Sequence, residues 1–480
     1  MASLPSYVAA AKPVPLSNRA PWYKNTAQTY AGIMLWFVFW HEVPIGSVLQ
    51  QGKPYAEFAG GTLAHGLGVA FLGLILAALI CHFLFYVVPG MLGMKTGLPL
   101  YIVGTSTYGV QGGFLMPGFL MGVLQFGWLA VNAFFAGILL CMPFGYGAGT
   151  VPHAVVATAW AIAAAFMGLK GIQYVARVAT FLPIIPLAIL VILLVSTIGG
   201  VGDFSAEKAV KAGLEATADV KAKDALPVWG VLALMATYIV GFFATAGAAG
   251  CDFGMNNRDA KDVQLGGLVG VAGATIFAGG LALLIVAGAH GSGKAADPAA
   301  LQATALMEGI MGNSTTAAVF WYLLAIAAFP PACFSSFIAA NSFKTTLPNV
   351  NPFVSCGIGT AAAIVLAITG VAGDATGVFT VIGASFGPVC GAMAADYLLA
   401  GKQWAGPRAG FNPAGWISWI VGFAVGAFNL VAGLIPSIAH LRGVVPAAPV
   451  AAFVVGFVLY VVLAKAGLQS KTLEMPAGVK

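Results

Sequence analysis

The chain has 480 residues and a formal net charge of +6, and 60% of its residues are hydrophobic whereas only 8% are charged. Because soluble domains carry about 25% charged residues, this composition excludes an ordinary soluble protein. The charge gives no sign of a nucleic-acid partner. The six cysteines are scattered without a CxxC pair, so neither a disulfide framework nor a zinc site is supported. Apolar segments of about 20 residues recur along the chain and predict an all-α polytopic membrane protein.

Hydropathy predicts about twelve membrane spans, with boundaries good to about 2–4 residues. An even number of spans places both termini on one side. Taking that side as cytoplasmic puts 14 of the 21 lysines and arginines inside, which predicts cytoplasmic termini in the plasma membrane. In the outer loop 199–224 the basic and acidic residues are balanced, and this pattern predicts a short surface helix. The spans are 27–49, 62–92, 114–141, 151–170, 172–198, 226–250, 264–289, 316–343, 352–372, 375–400, 412–435 and 446–466.

The sixth predicted span does not read as an ordinary helix. Its sequence from 237 to 254 is TYIVGFFATAGAAGCDFG, in which glycines at positions 241, 247 and 250 are expected to loosen the backbone. Phe242 and Phe243 sit at the loosened part, and Asp252 closes the segment. An interrupted span is tolerated in lipid only where protein or a water-filled cavity satisfies the freed backbone groups.

A matching interruption occurs in the first predicted span, whose sequence from 31 to 46 is AGIMLWFVFWHEVPIG. His41 and Glu42 are ionisable, and Pro44 and Gly46 follow them. Two interrupted spans at corresponding positions of the two halves indicate the binding site of a transporter. Buried ionisable groups are costly in a membrane and are treated as functional. Proton coupling, substrate binding and a structural ion pair remain open for His41 and Glu42, whereas Asp252 is expected to cap a helix or to gate.

In the third span, Gln125, Trp128 and Asn132 are spaced i, i+3 and i+7 and share one helical face. An indole between two amides can stack on a flat ring and pair with its polar edges. The alternative is that the amides join this helix to a neighbour through hydrogen bonds. Periodicity alone leaves the two interpretations equally weighted.

In the eighth span, Ala332, Ser335 and Ser336 are spaced i, i+3 and i+4. One carbonyl and two hydroxyl groups on one face offer oxygen ligands to a hard cation such as sodium. The preceding pair 330–331 is Pro-Pro, which removes two amide donors. The alternative is that both serines bond their own helix. Phe337 and Asn341 line a different face of the same helix.

Several stretches resemble the nucleobase:cation symporter-1 family, especially the cytosine permeases and the hydantoin permease. The resemblance covers the first to the eleventh span and includes the glycine-rich sixth span. It implies a ten-helix core of two inverted five-helix repeats, like the leucine transporter fold, with broken first and sixth helices and two extra helices. The motifs are GMKTGL at 93–98, STYGVQGGFLMPGFLMGVLQFGW at 106–128 and FGPVCGAMAADYLLAGK at 386–402.

The resemblance also implies a domain organisation. The N-terminal and C-terminal tails, 1–26 and 467–480, are expected to be cytoplasmic. A transporter core spans 27–400, with repeats at about 27–198 and 226–400, and two additional spans occupy 401–466.

The same resemblance implies roles for individual residues. Trp128 and Phe243 match aromatic residues that stack on the substrate, with Phe242 beside them. Gln125, Asn132 and Asn341 match substrate-binding amides, and Thr245 a small polar contact. The sodium ligands implied are Ala332, Ser335 and Ser336, completed by carbonyls near Leu35 and Val38.

Two departures from the family leave the substrate and the coupling ion open. Phe337 replaces an Asn after the hydroxyl pair, and His41 and Glu42 stand where relatives have small or neutral residues. The leading hypothesis is a sodium-coupled symporter of a nucleobase or similar planar heterocycle, with no cofactor beyond the coupling ion. The rival is proton coupling through Glu42. An enzyme is not expected, because the spans carry no catalytic motif, and the oligomeric state stays open.

Overall fold

The computed structural model describes residues 4–24, 36–46, 48–50, 53–170, 182, 184–216 and 223–475. Within those residues, ten helices are long and apolar enough to cross a membrane. A shorter apolar helix, Pro352–Ile368, forms at the predicted ninth span. The ten helices, taken as the second to eighth and tenth to twelfth spans, are Gly66–Thr96, Phe114–Phe144, Val151–Lys170, Ile184–Asp203, Val228–Ala248, Ala260–Gly291, Ser314–Thr346, Ala375–Leu399, Pro413–Leu434 and Ala448–Lys465.

The first span is described only in its C-terminal part. The helix Trp36–His41 ends at the histidine, and residues 42–46 are not helical. The helix therefore stops before Pro44, at the predicted interruption, because proline cannot donate to a continuing helix, and the strand Val48–Gln50 follows. Leu35 lies outside the described residues, and the backbone but not the side chain of Val38 is described.

Short elements connect the spans. A two-stranded antiparallel hairpin pairs Val48–Gln50 with Lys53–Tyr55. The predicted surface helix forms in the loop before the sixth span, as Ala206–Ala216. Further short helices are Ser6–Ala9, Leu16–Asn18, Gly61–Leu63, Leu100–Val103, Thr105–Tyr108, Gly250–Gly254, Met307–Met311, Val371–Gly373 and Pro436–Leu441.

The sixth span breaks at one residue rather than over a stretch. Its helix runs to Ala248, Ala249 forms the turn, and the short helix Gly250–Gly254 follows. The prediction that glycines loosen this helix is wrong for Gly241 and Gly247, which lie inside it. Added side-chain carbons there would come within 2.7 Å of the Phe379 carbonyl oxygen and of the Phe85 Cβ, respectively. These glycines permit close helix packing, which in membranes replaces the hydrophobic driving force.

Burial separates the inner spans from the peripheral ones. In the third and tenth spans, 72% and 89% of the most apolar stretch is buried inside the protein. The corresponding values are 28% and 33% in the eleventh and twelfth spans, which therefore lie at the periphery. A buried ion pair connects the tenth span to this periphery, because Arg408 Nη1 lies 2.9 Å from Asp396 Oδ1. Tyr460 of the twelfth span donates to the same oxygen at 2.8 Å.

Candidate functional site

A central cavity of about 610 Å³ lies among the first, third, sixth and eighth spans. Most of its wall is apolar, with a few polar side chains among aromatic ones. Ligand sites commonly have this volume and this mixture. The residues lining it are Phe37, Leu100, Tyr101, Pro117, Gly118, Met121, Gln125, Trp128, Val131, Asn132, Phe242, Thr245, Ala246, Ala249, Asp252, Phe253, Met255, Pro331, Phe334, Ser335, Phe337, Ile338, Asn341, Ser342, Thr345 and Thr346.

Many of the residues singled out from the sequence meet in this wall. Five of the predicted site residues whose side chains are described do not line the cavity. They are the fully buried Phe243, Ala332 and Ser336 and the nearly buried His41 and Glu42. The candidates that do line it are Gln125, Trp128, Asn132, Phe242, Thr245, Asp252, Ser335, Phe337 and Asn341.

The aromatic part of the wall is a cluster of three rings. Trp128 meets Phe242 edge-on with ring centroids 4.4 Å apart, and it lies 5.2 Å from the ring of Phe379. The expected position of Phe243 is corrected here. Its side chain is 0% exposed, and the neighbouring Phe242 turns toward the cavity instead. A base stacked between two rings needs the rings about 7 Å apart, twice an ordinary van der Waals contact. The rings of Trp128 and Phe242 are closer than that, so they do not form a sandwich around a base in this conformation.

The two amides of the third span differ in their partners. Asn132 donates through Nδ2 to the Ala328 carbonyl at 2.9 Å and accepts at Oδ1 from the Trp160 indole at 2.9 Å. This geometry matches the alternative reading, in which the amide joins helices. Among the residues that the structure describes, the amide nitrogen of Gln125 has only the Met121 sulfur at 3.6 Å, a weak acceptor. Gln125 therefore offers the less committed amide to a ligand.

The hydroxyl groups of the eighth span also differ. Ser335 lines the cavity, and its Oγ lies 3.3 Å from the Pro331 carbonyl of its own helix. Ser336 is fully buried, and its Oγ has no hydrogen-bond partner among the described residues. Gly168 of the fourth span makes room for this serine, since an added carbon there would come within 2.9 Å of the Ser336 Cβ. An unpaired buried hydroxyl group costs free energy and is suited to a bound cation or water.

Asp252 does more than close the sixth span. Its Oδ1 accepts from the backbone amide of Leu100 at 3.1 Å, at the start of the short helix Leu100–Val103. The first amides of a helix have no partner within it, so the carboxylate supplies one. Asp252 therefore caps a helix, but the helix is Leu100–Val103 and not its own. The Asp252 side chain lines the cavity as well.

The cavity is accessible from one end of the bundle, where the N-terminal segment lies. Near that end, Asn341 is exposed and Ile338 is 40% exposed, although both line the cavity. The ring of Tyr7 lies 6.5 Å from that of Tyr101 and 5.6 Å from that of Phe114. The N-terminal segment therefore sits beside the mouth.

The opposite end is closed by the first span and a distant loop. Phe37 and His41 both pack on Phe135, with ring centroids 5.9 and 4.6 Å away. Gln302, from the loop after the seventh span, donates through Nε2 to the His41 carbonyl, and the same nitrogen lies 3.2 Å from His41 Nδ1. His41 is 2% exposed and does not line the cavity, so this contact lies in the packed end beyond Phe37.

Several site residues were missed by sequence reasoning. Phe379 and Trp160 come from the tenth and fourth spans, where no polar pattern marks a site. One signal was available for Trp160, since it is the only tryptophan in an alanine-rich helix. For Gln302 the loop sequence carries no signal, because its partner His41 is 261 positions away.

Comparisons with known proteins identify a matching family and similar folds. The family model "Permease for cytosine/purines, uracil, thiamine, allantoin" matches residues 34–434. The fold is similar to an inward-facing conformation of Mhp1, with a TM-score of 0.65 and 14% identity, covering 98% of this chain and 96% of that chain. No curated protein matches the sequence.

Two further solved structures are similar. Mhp1, a nucleobase-cation-symport-1 family transporter, in a closed conformation with bromovinylhydantoin bound, gives a TM-score of 0.59 at 14% identity and covers 96% of this chain and 95% of that one. A substrate-bound, outward-open Na⁺-coupled sialic acid symporter gives 0.55 at 14% identity and covers 96% and 92%. At these identities the likeness shows the fold, which is that of inverted-repeat secondary transporters.

Proposed function

The chain belongs to the permease family for cytosine/purines, uracil, thiamine and allantoin, and on that premise we propose that it imports a nucleobase or similar planar nitrogen heterocycle by sodium symport. Membership of this family makes it a membrane transporter and not an enzyme. Cytosine is the substrate to test first. The protein works by alternating access, with both termini in the cytoplasm.

The observation that carries this proposal is the composition of the central cavity. Its wall combines the Trp128 and Phe242 rings with the amides of Gln125 and Asn341 and the hydroxyl group of Thr245. Aromatic side chains bind flat bases through stacking, at roughly 1–3 kcal/mol per base. Amides and hydroxyl groups complement the donor and acceptor edges of a heterocycle, and their desolvation rejects ligands that cannot pair with them.

Stacking on one side of the aromatic cluster replaces the sandwich expected from the sequence. Trp128 is half-buried and already touches Phe242, so a base lies against the cavity side of this cluster. Phe337 and Phe334, which also line the cavity, supply apolar surface from the eighth span.

Sodium coupling is supported by the oxygen atoms of the eighth span. The fully buried hydroxyl group of Ser336 has no hydrogen-bond partner in the part of the chain that the structure describes, and Ser335 lines the cavity. The other proposed ligands are the Ala332 carbonyl and carbonyls of the first span near Leu35 and Val38. An ion bound there and a substrate in the cavity would stabilise each other's binding by the same factor, since linkage is reciprocal.

The conformation described is open toward the cytoplasm in this proposal. The mouth lies at the end that carries the N-terminal segment, and the proposed topology places that end inside the cell. Closure of the opposite end by Phe37, His41 and Gln302 fits a state that releases substrate inward.

A thermal-shift screen tests the proposal directly. The purified protein is melted with purines, pyrimidines and hydantoins, with and without sodium. A ligand present at 100 times its dissociation constant stabilises the folded state by about 2.7 kcal/mol. Cytosine uptake into proteoliposomes, with and without a sodium gradient, then measures transport. If no heterocycle raises the melting temperature in either buffer, the proposed substrate class is wrong.

Proton coupling through Glu42 is the second candidate. Glu42 is 3% exposed and lies at the interruption of the first span. Uptake that ignores sodium, follows a proton gradient and collapses in Glu42→Gln would favour this mechanism. Uptake that requires sodium and survives Glu42→Gln would exclude it.

A further inference from the structure

The side chain of Asn132 connects three helices at the wall of the central cavity. It belongs to the third span, donates to the Ala328 carbonyl of the eighth span, and accepts from the Trp160 indole of the fourth span. Both hydrogen bonds are 2.9 Å long, and Asn132 is 7% exposed. We call these three residues the amide bracket.

The bracket determines which way the Asn132 amide points. An indole N–H donates only, and a backbone carbonyl accepts only. The amide oxygen must therefore face Trp160 and the amide nitrogen must face Ala328. Within the described residues, one N–H and one lone pair of this amide have no further partner, and Asn132 lines the cavity.

The bracket also lies where the eighth helix is weakened. Pro330 and Pro331 lie inside this helix and lack amide hydrogens, so two helical hydrogen bonds are missing there. Ala328, which accepts from Asn132, precedes them by two residues. The Trp160 ring lies edge-on to Phe329 at 5.0 Å, so it contacts the same turn.

We propose that Trp160, which does not line the cavity, is a positioning residue for substrate recognition. Its indole N–H fixes the orientation of the Asn132 amide and its register against the eighth helix next to Pro330 and Pro331. This inference rests on the proposed function, because it assumes that the cavity binds the transported heterocycle. It adds a residue of the fourth span that acts on specificity without touching the ligand.

Trp160→Phe tests the proposal, because it removes the donor while keeping an aromatic ring against Phe329. We expect the KM for the transported heterocycle to rise about two- to tenfold, because this is the effect of losing one neutral hydrogen bond. The maximal rate should stay near the wild-type value. A purely structural defect would lower the maximal rate or the yield instead. In an Asn132→Ala background, Trp160→Phe should have no further effect on KM, since the two residues act as one unit.

Trp419→Phe is the matched control. Trp419 is also half-buried and donates its indole N–H to a carbonyl, that of Ser385, at 2.9 Å, but it lies in the eleventh span away from the cavity. Loss of this indole donor in Trp419→Phe should leave the KM for the heterocycle unchanged. Should Trp160→Phe not fold, Trp160→Leu removes the same donor to Asn132, and a raised KM is again expected.

The outcomes separate this inference from the proposed function. If the wild-type protein binds a heterocycle and Trp160→Phe has the same KM, the bracket does not position the substrate. The same conclusion follows if Trp160→Phe raises KM equally in the Asn132→Ala background. If the wild-type protein binds no heterocycle, the proposed function fails, and this inference falls with it.

Discussion

Trp128 and Phe242 contact each other edge-on, with ring centroids 4.4 Å apart and an interplanar angle of 69°. The contact joins the third span to the sixth and forms one wall of the central cavity. Phe243, the next residue along the chain, points into the protein core and is 0% exposed. Two adjacent phenylalanines thus have different environments, and their substitution should have different consequences.

Phe242→Ala should weaken heterocycle binding roughly tenfold, since it removes an aromatic surface of the cavity. Its effect on the melting temperature should be small. Phe243→Ala should instead destabilise the protein by about 3–5 kcal/mol, because it leaves a hole in the core. Binding isotherms and thermal melts of both variants check the contrast. Equal loss of affinity in the two variants would contradict it.

Ser336→Ala should reduce the apparent affinity for sodium roughly tenfold, as expected for loss of an oxygen ligand to a charged group. The measurement is the sodium dependence of uptake at fixed substrate concentration. Ser418→Ala is the matched control, because Ser418 is also fully buried but bonds the Ala414 carbonyl of its own helix at 2.6 Å. An unchanged sodium dependence in Ser336→Ala would remove this serine from the proposed ion site.

Gln302→Leu should open the closed end of the cavity more often, because it removes the amide that bonds the His41 carbonyl. The readout is the rate at which a membrane-impermeant thiol reagent, added outside, modifies Thr245→Cys. Thr245 lines the cavity, and the six native cysteines are all buried.

We expect the labelling rate to rise severalfold, in line with the loss of about 0.5–1.5 kcal/mol per hydrogen bond. Asn429→Leu is the control, since its amide also bonds a backbone carbonyl, that of the loop residue Val445, but it belongs to the eleventh span. A labelling rate that stays at the wild-type value would show that Gln302 does not hold this end closed.

Asp396→Asn should destabilise the protein by about 3–5 kcal/mol, because it leaves the Arg408 guanidinium buried without a counter-charge. The two side chains are 4% and 6% exposed. Lys211→Met removes an ion pair with Glu215 that is 76% and 69% exposed, and it should have little effect. Thermal melts in detergent compare the two variants, and similar melting temperatures would contradict the prediction.

The helical spans were predictable because they depend on local composition. Apolar runs of about 20 residues must form helices in lipid, whatever surrounds them. The interruption at Pro44 was predictable for the same reason, since proline acts on its own helix. The glycines at 241 and 247 were misread because a small residue in a membrane helix either loosens it or lets a neighbour approach. Only the position of Phe379 and Phe85 distinguishes these cases.

The site was predictable as a set of helical faces. The spacing of Gln125, Trp128 and Asn132 places them on one side of the third span, and all three line the cavity. Spacing does not reveal which partner each side chain meets. Asn132 is held by Trp160 and Ala328, and a helix periodicity of 3.6 residues carries no information about a neighbouring helix.

The sequence alone therefore determined that this chain is a polytopic helical transporter with two interrupted spans, because hydropathy and backbone chemistry act over a few turns. The tertiary structure decided that Phe242 rather than Phe243 faces the cavity, that Gln302 meets His41, and that the Asn132 amide is oriented by Trp160. These outcomes depend on how each helix is rotated against its neighbours. That rotation is set by packing between residues up to 261 positions apart.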